Sequence, residues 1–377
     1  MPLVGWPVET MFLRAPDGDV GLETSGRMVI TDDEHRVGSE SALSVTRAHD
    51  GGQACVDVIV VHHERNDLTA RCLEALAADS GLLRSVTIVD SGSARPWRAD
   101  DLGSGAERYA SPEKPDGPPV LHLVTLADNV GYAEGNNRGL ATRLPEGASY
   151  YLVLNNDAYV TPGALRAMVT ASEATGAGMV APAVYRADDP ARVDRFGLTL
   201  TRSGAAYDRE SEDDGPLLCP SGCAAMYRRD VVLDLIGDAE GFFDRSFGAY
   251  AEDLDTGLRA RARGHEATFA PDAVIYHEGS ASFGQGSRLA YRLRHRNTIC
   301  ALAKNYSTGL LLTEAPLLLA GQLLGLLNAV PRGRLLTASR GKVEGVLRAF
   351  GARRRTRGRP RLVANAALDP RFAIRRR

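Results

Sequence analysis

The 377-residue chain is poor in cysteine, with five in all: Cys55, Cys72, Cys219, Cys223 and Cys300. An odd number at irregular spacing does not make a disulfide framework. Cys219 and Cys223 stand close together, but no second Cys/His pair completes a zinc set. The expectation is therefore five reduced thiols in a cytoplasmic protein. The first residues lack the basic, apolar, small-residue order of a secretory signal, which points the same way. There is no internal repeat, and no low-complexity array beyond an arginine-rich tail. Long hydrophobic runs are also scarce. Residues 308–330 alone approach the roughly 20 apolar residues of a membrane span. Glu314, Pro316, Gln322 and Asn328 interrupt that run, so it reads as interfacial or packed against protein.

What is present is an ordinary globular balance, 44% apolar and 24% charged. Length allows two domains, or one large α/β domain with appendages. The net charge of −2 hides an asymmetry: residues 331–377 hold fifteen basic side chains against Glu344 and Asp369, a net of +13 that leaves the rest at −15. Such a tail suits an anionic surface. Lipid headgroups and nucleic acid are the candidates, and the lack of aromatic interleaving disfavours nucleic acid.

Residues 1–54 are rich in Gly, Asp, Glu, Ser and Thr without a sustained period, and read as a poorly ordered or loosely attached leader. From Val56 the pattern changes. A β-branched strand over 56–61 is followed by a helix with Leu68, Cys72, Leu73 and Leu76 on one face, capped by Asn66 or Asp67. Further strands are expected over 85–90, 120–126 and 151–154, with a helix over 131–140. This alternation predicts a parallel, doubly wound sheet. The second half is less regular. It holds a strand over 177–184, a hairpin over 198–208, helices over 229–236 and 253–263, and a strand over 267–277 ending in His277.

Six features can carry chemistry. The first is Tyr151-Leu152-Val153-Leu154-Asn155-Asn156-Asp157, an apolar strand ending in three polar residues. Ligands of open α/β sheets bind beyond such strand ends, so Asp157 can hold a hard cation, or the segment is an Asn-rich turn. Asp90, before Ser91-Gly92-Ser93, can accept from the imide of a pyrimidine base or close an Asx-turn. The loop from Asp128 through Asn129, Gly131 and Asn136 to Gly139 opens a helix, and suits a diphosphate or sugar hydroxyl, or is simply a capped loop. Glu252-Asp253-Leu254-Asp255 opens another helix, as dipole-compensating acids or with Asp253 as a general base. His277 can complete a metal site, touch a phosphate or be structural. Arg292, Arg294, His295, Arg296 and Lys304 form a basic cluster that binds phosphate or is a solvated face.

Together these segments resemble family 2 glycosyltransferases with the GT-A fold, in particular the bacterial rhamnosyltransferase-like branch. The match rests on Val58-Ile59-Val60-Val61, Ile88-Val89-Asp90-Ser91-Gly92-Ser93, Asn129-Val130-Gly131-Tyr132, Leu154-Asn155-Asn156-Asp157, Gly241-Phe242-Phe243-Asp244, Tyr250-Ala251-Glu252-Asp253-Leu254-Asp255, His277 and Arg296-Asn297. It runs in order over residues 55–305. The resemblance implies a Rossmann-like, mostly parallel sheet flanked by helices over 55–305, and a helical, basic extension over 306–377. It implies donor contacts at Asp90, Ser91, Asn129, Gly131, Asn136, Asn155, Asn156 and Arg296, and a metal site at Asp157 and His277 for Mg²⁺ or Mn²⁺. Asp253 would be the base, with Glu252 beside it. Asn155 replaces the first acid of the family's DXD motif, leaving one fewer anionic ligand.

The implied reaction is inverting transfer of one sugar, with rhamnose first to test, from a dTDP- or UDP-sugar to a hydroxyl. The acceptor would be a saccharide, lipid-linked or small molecule. Gln285-Gly286-Ser287-Arg288-Leu289 lacks the Trp of the QxxRW motif of processive synthases, which favours single-sugar transfer. A nucleotidyltransferase is the rival reading, but His62-His63-Glu64-Arg65-Asn66 supplies no glycine loop after the first strand. A non-catalytic module is the other, against which Asp157 and Asp253 stand. The apolar run and basic tail imply peripheral contact with the inner face of the cell membrane.

Overall fold

A computed structural model describes residues 10–13, 54–79, 81–109, 118–279, 287–364 and 368–370. Apart from a strand at Thr10–Leu13 and Ala54, the expected leader over 1–54 lies outside the described residues, as do the last seven residues of the tail and Gln285 and Gly286.

In chain order, β1 (Thr10–Leu13) precedes β2 (Val56–His62), α1 (Asn66–Ala78), β3 (Leu83–Ser91), β4 (Val120–Leu126), α2 (Gly131–Arg143) and β5 (Tyr150–Asn155). Next come β6 (Ala158–Val160), α3 (Ala164–Thr175), β7 (Met179–Arg186), β8 (Val193–Arg195), β9 (Leu198–Leu200) and β10 (Ala206–Asp208). The chain continues through β11 (Ala224–Arg228), α4 (Arg229–Ile236), α5 (Glu252–Ala262), β12 (Ala267–His277), α6 (Arg288–Asn305), α7 (Thr308–Leu327) and α8 (Leu335–Arg355).

The sheet order is β1-β4-β3-β2-β5-β11-β7-β12-β6, with β8 on β7. The β1-β4-β3-β2-β5 half is parallel, as the βα alternation predicted. The other half is mixed, since β11 runs antiparallel to both β5 and β7 while β12 is parallel to β7 and antiparallel to β6. The sequence reading missed β11, because its Ala-Ala-Met-Tyr run has neither alternation nor β-branching to mark it.

Two apolar layers sandwich the sheet. Ile59, Val89 and Val153 face α2, α4 and α5, while Val58, Val60, Val86 and Leu152 face α1 and α3. Leu68, Cys72, Leu73 and Leu76 of α1 are all buried, as their spacing predicted. Neither Asn66 nor Asp67 caps that helix. Arg65 occupies the cap position, Asp67 pairs with Arg65, and Asn66 donates to Asp101 (2.9 Å). Asp57 is a charge inside β2, and Arg84 and Ser85 hold its carboxylate (2.9 and 2.7 Å). A buried carboxylate persists only when its lone pairs are matched in this way.

Two glycines inside α2, Gly135 and Gly139, serve the core. A Cβ at Gly139 would run into Ile59, and one at Gly135 would press on Val61 (2.9 Å). The 305/306 boundary is crossed by Arg359, whose guanidinium bonds Glu240 (2.9 Å) and Asp238 (3.2 Å), and by Leu362 N–H, which donates to the Asn305 carbonyl (2.8 Å).

Candidate active site

The parallel strands end at one edge, where a cavity of about 380 Å³ opens. Val61, Ser91 and Asn155 mark the tips of β2, β3 and β5 on its wall. Strand β5 stops at Asn155, and the chain turns through Asn156 and Asp157 into β6. Asn156 faces inward and donates to Thr69 of α1 (3.1 Å). Pairing of Ala158 in β6 with His277 in β12 then brings the imidazole beside Asp157. His277 Nε2 lies 3.3 Å from Asp157 Oδ1, and Nδ1 lies 2.9 Å from Asp194 Oδ2 on β8. Burial works against a charged imidazole, but hydrogen bonds to Asp157 and Asp194 outweigh it, so the pKa of His277 is raised. Burial also opposes charge on Asp194. The hydrogen bond from His277 and the adjacent Arg195 prevail, and hold its carboxyl below the usual range.

Asp157 and His277 fit a hard divalent cation. Two ligands about 2.1 Å from one octahedral ion stand about 3 Å apart, close to the observed 3.3 Å. The Asp194 contact fixes the far imidazole nitrogen, as an outer-shell carboxylate does in metal sites. Cys223 lies within 4.8 Å of the Asp194 and His277 donor atoms. Burial pushes its thiol up to about 12, so it stays protonated and is a poor ligand for Mg²⁺ or Mn²⁺.

A second wall is the start of α5. Two consecutive residues, Tyr250 and Ala251, adopt left-handed φ values of 69° and 65° before Glu252 begins the helix. Non-glycine residues avoid that region, and Asn297 on α6 holds the segment there. Its amide donates to the carbonyls of Tyr250 (2.7 Å), Ala249 (2.9 Å) and Phe247 (3.2 Å). Asp253 Oδ2 accepts from Gly222 N–H (3.0 Å) and Oδ1 from Leu254 N–H (2.8 Å). Tyr132 ties the same loop down by donating to the Gly222 carbonyl. Burial raises the pKa of Asp253. Glu252 is more extreme, at 7% exposure, with Oε2 lacking a hydrogen-bond partner among the described residues. Burial, then the adjacent Asp253 charge, raises it to about 8. Asp255 makes the expected pair with Arg259 (3.1 Å), away from the cavity, where Lys304 and Asn305 also hold it.

Of the residues singled out from sequence, Ser91, Asn129, Gly131, Asn155, Asn156, Asp157, Glu252, Asp253 and His277 line this one cavity. Ser91 and Asn129 are interlocked: Val130 N–H donates to Ser91 Oγ (2.9 Å) and Gly131 N–H to Asn129 Oδ1 (3.0 Å). Asp90, Asn136 and Arg296 are not on the cavity wall. Asp90 is fully buried and accepts from the N–H groups of Trp97 (2.7 Å) and Ser93 (3.0 Å), so it closes the turn. Asn136 donates to the Tyr132 carbonyl (2.9 Å), and Arg296 to Phe247 O (3.0 Å) and Asn297 (2.7 Å). Sequence reasoning gave no role to Tyr132, although it stands in the Asn129-Val130-Gly131-Tyr132 segment, and missed Arg195, Asp208 and Ser221 on the wall.

The model of the family described as Glycosyl transferase family 2 matches residues 57–236. An uncharacterized protein of Mycobacterium tuberculosis (strain ATCC 25618 / H37Rv) is 30% identical over 166 residues, which is 42% of this chain and 57% of that protein. The chain thus spans little more than half the length of that relative. The N-acetylglucosaminyl-diphospho-decaprenol L-rhamnosyltransferase of the same organism is 25% identical over 279 residues, 66% of this chain and 84% of that one. Among solved structures, that of GalNAc-T7 with UDP, GalNAc and Mn²⁺ superposes with a TM-score of 0.52 at 12% identity, over 69% of this chain and 49% of that one.

Proposed function

We propose, for a chain that belongs over residues 57–236 to the family 2 glycosyltransferases and has the GT-A fold, that its cavity moves one sugar, with inversion, from a nucleoside-diphosphate sugar to a hydroxyl acceptor. The observation that carries this reading is a single cavity with Asp157 and His277 on one wall and Glu252 and Asp253 on another. Asp253 takes the proton of the acceptor hydroxyl. Its two backbone N–H contacts orient the carboxylate, and burial raises its proton affinity, both of which suit a general base. The freed oxygen bonds to the anomeric carbon as the bond to the diphosphate breaks on the opposite face. Mg²⁺ or Mn²⁺ held by Asp157 and His277 would offset the charge of the departing diphosphate. Ser91, Asn129, Gly131, Asn155 and Asn156 contact the donor. Asp90, Asn136 and Arg296 act through the walls they brace.

Likeness to a diphospho-decaprenol L-rhamnosyltransferase makes a rhamnosyl donor and a lipid-linked acceptor the first pair to test. The reading includes a cytoplasmic protein peripheral on the inner membrane face, working on cell-envelope saccharides. A thermal-shift panel of dTDP- and UDP-sugars with Mn²⁺ identifies the donor. Asp253→Asn lowers transfer by about 10² to 10⁴ while nucleotide affinity holds. Full turnover by that variant removes Asp253 as base.

A further inference from the structure

Helix α8 is built inside out. It packs on α6 through small residues, with Ala338, Gly341, Gly345 and Ala352 buried. A Cβ at Gly345 would press on the Arg296 carbonyl (2.8 Å), and one at Gly341 would strike that of Arg292. The large apolar side chains point the other way. Leu336, Arg340, Val343, Leu347, Phe350 and Arg354 recur every three or four residues and form one exposed stripe. Leu336 is 85% exposed and Phe350 77%. Helix α7 likewise exposes Leu312, Leu319, Leu323 and Leu327 along one side. A soluble chain rarely leaves so much contiguous apolar surface open.

Helix α7 is long and apolar enough to cross a membrane, yet its opposite side is bound to the protein. Glu314 is buried and paired with Arg202 (2.8 Å), and Gly321 fits against Ser203. Crossing would strip Glu314 from that partner and leave its carboxylate unpaired in hydrocarbon. Arg202 and Ser203 sit in the turn between β9 and β10, whose Leu198, Ala206 and Asp208 line the cavity.

We propose that the outer faces of α7 and α8 are an interfacial docking surface for an anionic lipid leaflet, into which Leu336, Leu347 and Phe350 insert. Charge selects this occupant. The stripe carries Arg340 and Arg354, in a tail of net +13. A second copy on the same face would set two such tails against each other. Nucleic acid would match the charge but not the leucines. A basic, apolar-faced helix is the composition that binds headgroups and acyl boundary together. The proposal rests on the transferase reading for its purpose, which is to hold the cavity near a lipid-borne acceptor; the docking itself rests on the exposed surface.

The test floats the full chain on vesicles of phosphatidylcholine and phosphatidylglycerol in equal parts, and on phosphatidylcholine alone, without nucleotide. The wild type floats with the anionic vesicles. Leu336→Glu/Leu347→Glu/Phe350→Glu lowers partition by about 100-fold or more. Arg340→Gln/Arg354→Gln lowers it about tenfold on anionic vesicles alone. All five positions are exposed, and circular dichroism checks folding. The arginine pair alone carries the test if the glutamates misfold. Failure of the wild type to float overturns the proposal, as does unchanged flotation of the variants. Conversion of a wild-type dimer to a monomer by the glutamates would give the face to a second copy instead. Donor binding measured on the same preparations separates the two readings: intact binding without flotation removes the docking surface and leaves the transferase.

Discussion

Glu252→Gln probes the second wall of the cavity most directly. The wild-type carboxyl is buried, Oε2 is unmatched among the described residues, and the Asp253 charge is adjacent, so the proton is held up to a pKa of about 8 against 4.5 when exposed. Between those values the folded state keeps a proton that the unfolded state has lost. Stability therefore falls as pH rises, by at most about 1.4 kcal/mol per pH unit from this group. The contribution is fully present below pH 4.5 and gone above about 8. Relaxation around a charged pair trims the ideal total, leaving a loss on the order of 2–4 kcal/mol. Glutamine keeps the shape and cannot ionise. Urea denaturation at pH 5 and pH 8.5 should show similar stability for both proteins at pH 5, and the variant ahead by about 2 kcal/mol or more at pH 8.5. Curves that stay parallel across that range refute a protonated Glu252 in the folded cavity.

Asp157→Ala should abolish the metal-dependent part of donor affinity, measured by calorimetry with and without Mn²⁺; equal affinity in both would sink the assignment. Gly139→Ala should destabilise the fold by about 1–3 kcal/mol in chemical denaturation, because the new methyl meets Ile59 on a strand that cannot retreat. Asn297→Ala removes the donor shared by three carbonyls and should cost about 1–3 kcal/mol. Its turnover should fall about tenfold while donor affinity stays within about threefold, since the left-handed Tyr250–Ala251 step aims Asp253 and does not line up the donor strands.

The first cavity wall was legible in sequence because it is local. A buried parallel strand is a continuous apolar run, and its end is marked where polarity changes, so Asn155 to Asp157 announced themselves. Asp253 was legible as an acid opening a helix. Asp90 shows the limit of that reasoning. The same strand-end rule applies to it, yet Ser93 and Trp97 take its carboxylate from within the next seven residues. A strand tip tells where a carboxylate sits, not which groups reach it first. Gly139 of α2 shows the same limit. It stands in the segment read as suiting a diphosphate or sugar hydroxyl, yet the group that approaches it is Ile59 of β2.

What sequence could not supply is contact between distant segments. Asp194, on a three-residue strand with no amphipathic signal, meets His277 across 83 positions because β8 pairs with β7 and β7 with β12. Asn297 meets the 247–250 loop because α6 packs along α5. In α8 the periodicity was present but its sense was not. Period 3.6 identifies an apolar stripe, and the usual inference turns that stripe toward the core. Here Gly341 and Gly345 let α8 come so close to α6 that small residues fill the contact, and the large side chains are left outside. The pattern that marks a core helix in one packing marks an interfacial helix in another, and the glycines on the opposite face decide between them.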